Sequence, residues 1–143
     1  MFVLQMLDGL FSFGRLVKTD VNAGFGPGAQ LIYVFKYRSE SKELPHRSEL
    51  RAERLLLPPL MTNRLPWSRG YFETIAEMPF EDGDVLQQHC FYSSAFDKYF
   101  DEYADELLQP VDPVGMYGLE SYRTIDDAMS KALGIPLIPE DQV

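Results

Sequence analysis

This 143-residue sequence predicts an α+β domain, mainly antiparallel β, with a short C-terminal helix and room for one further helix. Three observations carry that expectation. Asp8-Gly9 separates two apolar runs near the start, the residues from Gln30 to Tyr37 alternate in the manner of a strand, and the clearest helical segment, with its caps, lies near the end. The sheet is expected to be strongly bent or a partly open barrel, with the helix packed against it. One domain spans 1–143, with no internal repeat and no linker.

Met1 to Thr19 reads as two strands joined at Asp8-Gly9, a dipeptide suited to the positive φ angles of a type I′ hairpin turn. Residues 20–29 form a glycine-rich loop. In the next strand Leu31, Tyr33, Phe35 and Tyr37 share one face, and the β-branched Ile32 and Val34 share the other. Segment 38–52 is polar and holds Pro45, so it predicts a surface loop or a short irregular helix. Leu55 to Leu57 predicts a buried strand ended by Pro58-Pro59, with further strands over Tyr71 to Ala76 and His89 to Tyr92.

Ser94 to Leu108 supports two structures. Phe96, Tyr99, Phe100, Tyr103, Leu107 and Leu108 fall at helical spacing behind Ser94 and Asp97, which resemble a capping box. The same Tyr and Phe content suits a hairpin. The final helix has Thr124 as its N-cap and Asp126 and Asp127 in its first turn. It is terminated by Gly134 and Pro136, and Ile125, Met129, Ala132 and Leu133 form its buried stripe.

The net charge of −9 disfavours nucleic acid as a partner. Its distribution is uneven: Met1 to Ala76 carries 10 Lys/Arg against 7 Asp/Glu, whereas Glu77 to Val143 carries 3 against 15. No apolar run has the length of a membrane span, and the apolar start lacks the basic region of a secretory signal, so a cytoplasmic protein is expected. The single cysteine, Cys90, forms no internal disulfide framework. The 19 aromatic residues (10 Phe, 8 Tyr, one Trp) supply much of the core.

Few constellations point to catalysis. Gly24-Phe25-Gly26-Pro27-Gly28 lacks the spacing of a phosphate-binding loop and reads as a structural turn. His89 and Cys90, adjacent on a strand, point to opposite faces; only the distant His46 is left as a base for the thiol. Neither a zinc set nor a calcium loop is spelled out, and no cofactor is expected. Trp67, between Arg64 and Arg69, is either a core plug with an arginine stacked on it or an interface anchor.

The densest charge lies in Glu81, Asp82, Asp84, Asp101, Glu102, Asp105 and Glu106, interleaved with Phe80, Phe96, Tyr99, Phe100 and Tyr103. These seven carboxylates are either a solvated face or the patch that meets a basic partner protein, where opposite charge speeds encounter. Other function classes remain open: a small-molecule-binding or hydrolytic domain using Cys90 or a carboxylate pair, and a self-assembling scaffold.

The order of several short motifs resembles the immunity protein 26 family of polymorphic toxin systems. They are Asp8-Gly9-Leu10-Phe11, Phe13-Gly14-Arg15-Leu16-Val17, Leu31-Ile32-Tyr33, Trp67, Gly70-Tyr71-Phe72 and His89-Cys90-Phe91. Val114-Gly115, Gly118-Leu119-Glu120-Ser121-Tyr122 and Thr124-Ile125 complete the series. The resemblance implies a mainly β fold with a C-terminal helix. It also implies a small cytosolic protein that blocks a cognate toxin by binding it. It favours a hairpin over Ser94 to Leu108, brings no catalytic residue, and leaves the oligomeric state open.

Overall fold

The computed structural model describes residues 1–139. Among the described residues, ten strands and two α-helices are arranged as two open sheets, mostly antiparallel, with the longer helix packed on the larger sheet. The α+β class is therefore the one observed, with the strands divided between two sheets rather than held in one.

The first hairpin joins β1 (Phe2–Gln5) to β2 (Phe11–Val21). Its turn differs from the type I′ expectation. Gly9 N–H donates to Met6 O at 2.9 Å and Met6 N–H to Leu10 O at 2.9 Å, and Gly9 has φ +86° while Asp8 stays outside the positive-φ region. This is a three-residue connection with glycine in the left-handed position. Asp8 instead uses its carboxylate, which accepts from Leu10 N–H at 3.1 Å and pairs with Arg38 at 2.6 Å.

β3 (Ala29–Ser39) lies at the centre of the larger sheet, whose order is β10-β4-β3-β2-β1-β5. Here β4 is Leu60–Thr62, β5 is Glu73–Thr74 and β10 is Leu119–Glu120. Both faces of β3 are buried. Leu31, Tyr33 and Phe35 join Val3, Phe13, Leu50 and Phe91 on one side, while Ile32 and Val34 join Phe2, Leu4, Phe72, Ile125 and Met129 on the other. Strict alternation thus feeds two apolar clusters, each large side chain adding about 1.5–3 kcal/mol by its removal from water. Irregularities in the β2–β3 register after Ser12, Leu16 and Lys18 bend the pair.

The smaller sheet has the order β8-β7-β6-β9, with β6 Cys90–Ser93, β7 Lys98–Phe100, β8 Glu106–Leu107 and β9 Val114–Met116. It meets the first face of the larger sheet through Phe91. Ser94 to Leu108 is therefore hairpin, not helix. β6 pairs β7 with Tyr92 opposite Tyr99, and β7 pairs β8 with Tyr99 opposite Leu107. Helical spacing is overridden because Asp97 (φ +52°) and Ala104 (φ +65°) turn the chain, and the backbone is satisfied across strands.

Other boundaries also shift. The segment 38–54 holds two 3₁₀ turns, Arg47–Leu50 and Ala52–Arg54. Leu55 to Leu57 is only half-buried and makes a single bridge from Leu55 to Phe35; the strand comes after the prolines, as β4. The strand expected over Tyr71 to Ala76 shortens to β5. Short helix α1 (Leu65–Ser68) holds Trp67, which is half-buried and meets the rings of Phe2 and Phe72 edge-on at 5.5 and 5.1 Å; no arginine stacks on it among the described residues.

Helix α2 (Tyr122–Leu133) begins earlier than expected. Ser121 is the N-cap, its Oγ accepting from Thr124 N–H at 3.2 Å, which leaves Thr124 one turn inside and Asp126 beyond the first turn. Gly134 ends it in the left-handed conformation (φ +71°), as the sequence predicts. Ile125 and Met129 are buried and Ala132 is exposed. Asp126 is buried as well, accepting from the Tyr71 hydroxyl and from Ser130 Oγ. Among the described residues no helix is long and apolar enough to cross a membrane.

Candidate partner-binding surface

The seven carboxylates occupy two different places, and two of them face inward. Asp84 is 1% exposed and lies between Arg15 Nη1 at 3.2 Å and Arg47 Nη2 at 2.5 Å, while also accepting from Glu81 N–H at 2.8 Å. Burial pushes its carboxyl up, but the Glu81 amide and the two arginines outweigh this and hold it below the usual carboxylate value. Around it Glu81 is exposed, with Oε2 2.9 Å from Arg47 Nε, an ion contact outside hydrogen-bond geometry. Asp82 is exposed and gives its backbone carbonyl to Arg51 Nη2 at 2.7 Å.

Glu102 is the second inward carboxylate, 3% exposed. It accepts from Lys18 Nζ at 2.8 Å and from His89 Nδ1 at 2.7 Å, and the other imidazole nitrogen meets Tyr33 Oη at 2.6 Å. Burial raises the Glu102 carboxyl and the hydrogen bonds from Lys18, the backbone and His89 overcome it, so the group stays charged. Burial lowers His89, despite Glu102 beside it, and pushes Tyr33 up to about 12. This buried chain joins the smaller sheet to β2 and β3. Sequence reasoning placed Glu102 on the surface because burial of an acid is invisible without its partners.

Asp101, Asp105 and Glu106 do lie at the surface of the β7–β8 hairpin. Asp101 is half-buried and shapes the turn, its Oδ1 accepting from Tyr103 N–H at 2.8 Å and Asp105 N–H at 3.0 Å. Glu106 pairs with Lys98 at 2.9 Å. Asp105 has no side-chain partner among the described residues.

Beside these acids runs a row of rings. Phe96, 66% exposed, meets Phe100 edge-on at 6.3 Å, and Phe100 stacks on Tyr117 at 4.5 Å. Gly24 lies against the Tyr117 ring, so that a Cβ there would stand 3.2 Å from it. Phe25, 87% exposed at the tip of the glycine loop, shares a small concavity with Leu119. Met116 and Tyr103 are exposed too. The sequence had signalled Phe96, Phe100 and Tyr103. Phe25, Tyr117 and Leu119 were missed because they come from two other segments that only the fold brings together.

The other candidates are separated. Cys90 is buried at the junction of β6 and β9, while His46 is exposed and caps the first 3₁₀ turn, with Nδ1 2.8 Å from Ser48 Oγ. Among the described residues no three His, Cys, Asp or Glu side chains are grouped closely enough to hold a metal ion.

A family model described as Immunity protein 26 matches residues 1–101, which takes in β1 through β7, Lys18 and His89. No curated protein and no solved structure matches the chain. The match covers most of the chain and agrees with the resemblance read from its motifs, and the chain belongs to the Immunity protein 26 family.

Proposed function

We propose that this protein binds a cognate toxin domain in the cytoplasm and neutralises it by covering or distorting its working surface. The observation that carries the reading is the pairing of exposed rings with exposed carboxylates on the smaller sheet, in a member of an immunity-protein family. Side chains such as Phe96 and Phe25 lose water-exposed apolar area only if something docks on them. The carboxylates contributing to that surface are Asp101, Asp105 and Glu106, with Glu81 and Asp82 as a second exposed group. Asp84 and Glu102 support the fold instead. A toxin that acts on nucleic acid has a basic substrate channel, and a nuclease is the proposed target because acidic groups fit such a channel electrostatically.

Co-expression with the C-terminal domain of the large protein encoded immediately upstream tests this. Restored growth together with a stable complex is the expected result. A toxin domain that kills equally in its presence, with no complex formed, overturns the reading.

A further inference from the structure

We infer that the ring row Phe96, Phe100 and Tyr117, extended by Phe25 and Leu119, is the anchor of this surface and is built to take arginine side chains of a cationic protein partner. The inference rests on the toxin-binding reading and names the chemistry that the surface recognises.

Two other sites show how this molecule handles a cation beside an exposed ring. Arg15 lies 4.0 Å over the Phe80 ring and pairs with Asp84. Lys18 Nζ, 5.0 Å from the Tyr103 ring centre, donates to the Tyr103 hydroxyl at 3.0 Å and pairs with Glu102 at 2.8 Å. At Arg15 the ring face and a carboxylate hold the guanidinium between them, whereas the Lys18 ammonium is held by oxygen atoms. The outer row also has carboxylates close by: Asp101 stands near enough to Tyr117 to add to burial in raising its hydroxyl, Asp105 lies on the same turn as Asp101, and Asp97, next to Phe96 in the chain, accepts from the Tyr92 hydroxyl at 2.6 Å. Lys98 is the only basic residue from Cys90 to Glu120, and it is engaged by Glu106. No cation lies over Phe96, Phe100 or Tyr117 among the described residues.

A guanidinium suits such a place better than an ammonium. Its flat face stacks on a ring while its edge N–H groups reach a carboxylate, and it is less strongly hydrated. Charge complementarity selects the partner further, because anionic lipid headgroups and nucleic acid are repelled by Asp97, Asp101 and Asp105. A protein whose surface arginines normally grip phosphates fits both features.

The test needs no knowledge of the toxin. Two peptides of equal length and charge, one of Arg-Gly-Gly repeats and one of Lys-Gly-Gly repeats, are titrated into the isotope-labelled protein at low salt and followed by NMR. The Arg peptide is expected to shift the Phe96, Phe100 and Tyr117 ring signals and to bind about threefold more tightly than the Lys peptide, as exposed cation–π contacts allow. Phe96→Ala, at an exposed position, is expected to keep the remaining spectrum and abolish the preference. Equal binding of the two peptides, or shifts confined to the Glu81 to Asp84 loop, overturns the inference. Once a toxin complex is in hand, Phe96→Ala and Phe25→Ala are expected to speed its dissociation about tenfold or more. Dissociation within about twofold of the parent protein overturns the anchor while toxin binding stands.

Discussion

His89 donates a hydrogen bond from Nδ1 to the Glu102 carboxylate at 2.7 Å, within the interior. A carboxylate held in its charged form requires a proton on the nitrogen that faces it, so a neutral imidazole has its lone pair on Nε2. Tyr33 supplies the matching donor there while its oxygen accepts from Leu86 N–H at 3.0 Å. Direction is thereby set along the whole chain from Leu86 to Glu102, where Lys18 closes it.

Reversing charge at all seven carboxylates should split them into two groups. Glu102→Lys and Asp84→Lys each strand buried partners and are expected to cost about 3 kcal/mol or more. Asp82→Lys and Asp105→Lys should stay within about 0.5 kcal/mol of the parent in urea unfolding. If Glu102→Lys unfolds at the parent's midpoint, the buried clasp is wrong.

Stability should rise with pH through the histidine range. The folded pKa of His89 is depressed, chiefly by burial, so the unfolded chain takes up a proton first as pH falls. The His89 contribution is complete above the unfolded value of about 6.5 and is lost as pH drops from there towards the lower folded value. Urea midpoints measured from pH 7 down to pH 5 should therefore decline, and His89→Gln should flatten that decline. An equal slope in parent and variant would assign the effect elsewhere.

Gly14 sits opposite Phe2 in the β1–β2 pair, and the Phe2 ring covers it. A methyl there would overlap the ring and stand 2.8 Å from the Tyr33 carbonyl oxygen. Gly14→Ala is expected to lower stability by about 1–3 kcal/mol through overpacking. Differential scanning calorimetry reads this directly, and an unchanged Tm would show that the ring can move aside.

Helix α2 is tied to the loop before β5 by the Tyr71 hydroxyl, which donates to the buried Asp126 carboxylate. Tyr71→Phe removes the donor and leaves the carboxylate short of a partner, for a loss of about 1–3 kcal/mol. Hydrogen exchange should quicken first in α2. Uniform quickening across both sheets would instead place the helix within a single cooperative unit.

Cys90 tests the hydrolase alternative. At 1% exposure its thiol should resist alkylation by iodoacetamide in native buffer and react on unfolding. Labelling of the folded protein at the rate of a free thiol would reopen a nucleophilic role.

The hairpin at Asp8-Gly9, the central strand through Tyr33 and the closing helix before Gly134 were legible because their causes are local. Glycine supplies a left-handed turn residue, alternation suits a sheet buried on both faces, and αL glycine stops a helix. The acidic second half was equally plain from composition alone. Ser94 to Leu108 was not, since the same spacing of rings serves a helix face or a pair of short strands. Turn residues Asp97 and Ala104, together with cross-strand partners, decided between them. Nor did the sequence distinguish Glu102 from Asp105, three residues apart in one acidic run. Lys18 and His89 reach Glu102 from distant segments and make its burial tolerable, while Asp105 keeps its water. What the sequence determined by itself was secondary structure near strong turn and cap signals, and the sign of the charge. Only the tertiary structure decided which charges hold the fold and which face a partner, because burial and pairing depend on residues brought together from far along the chain.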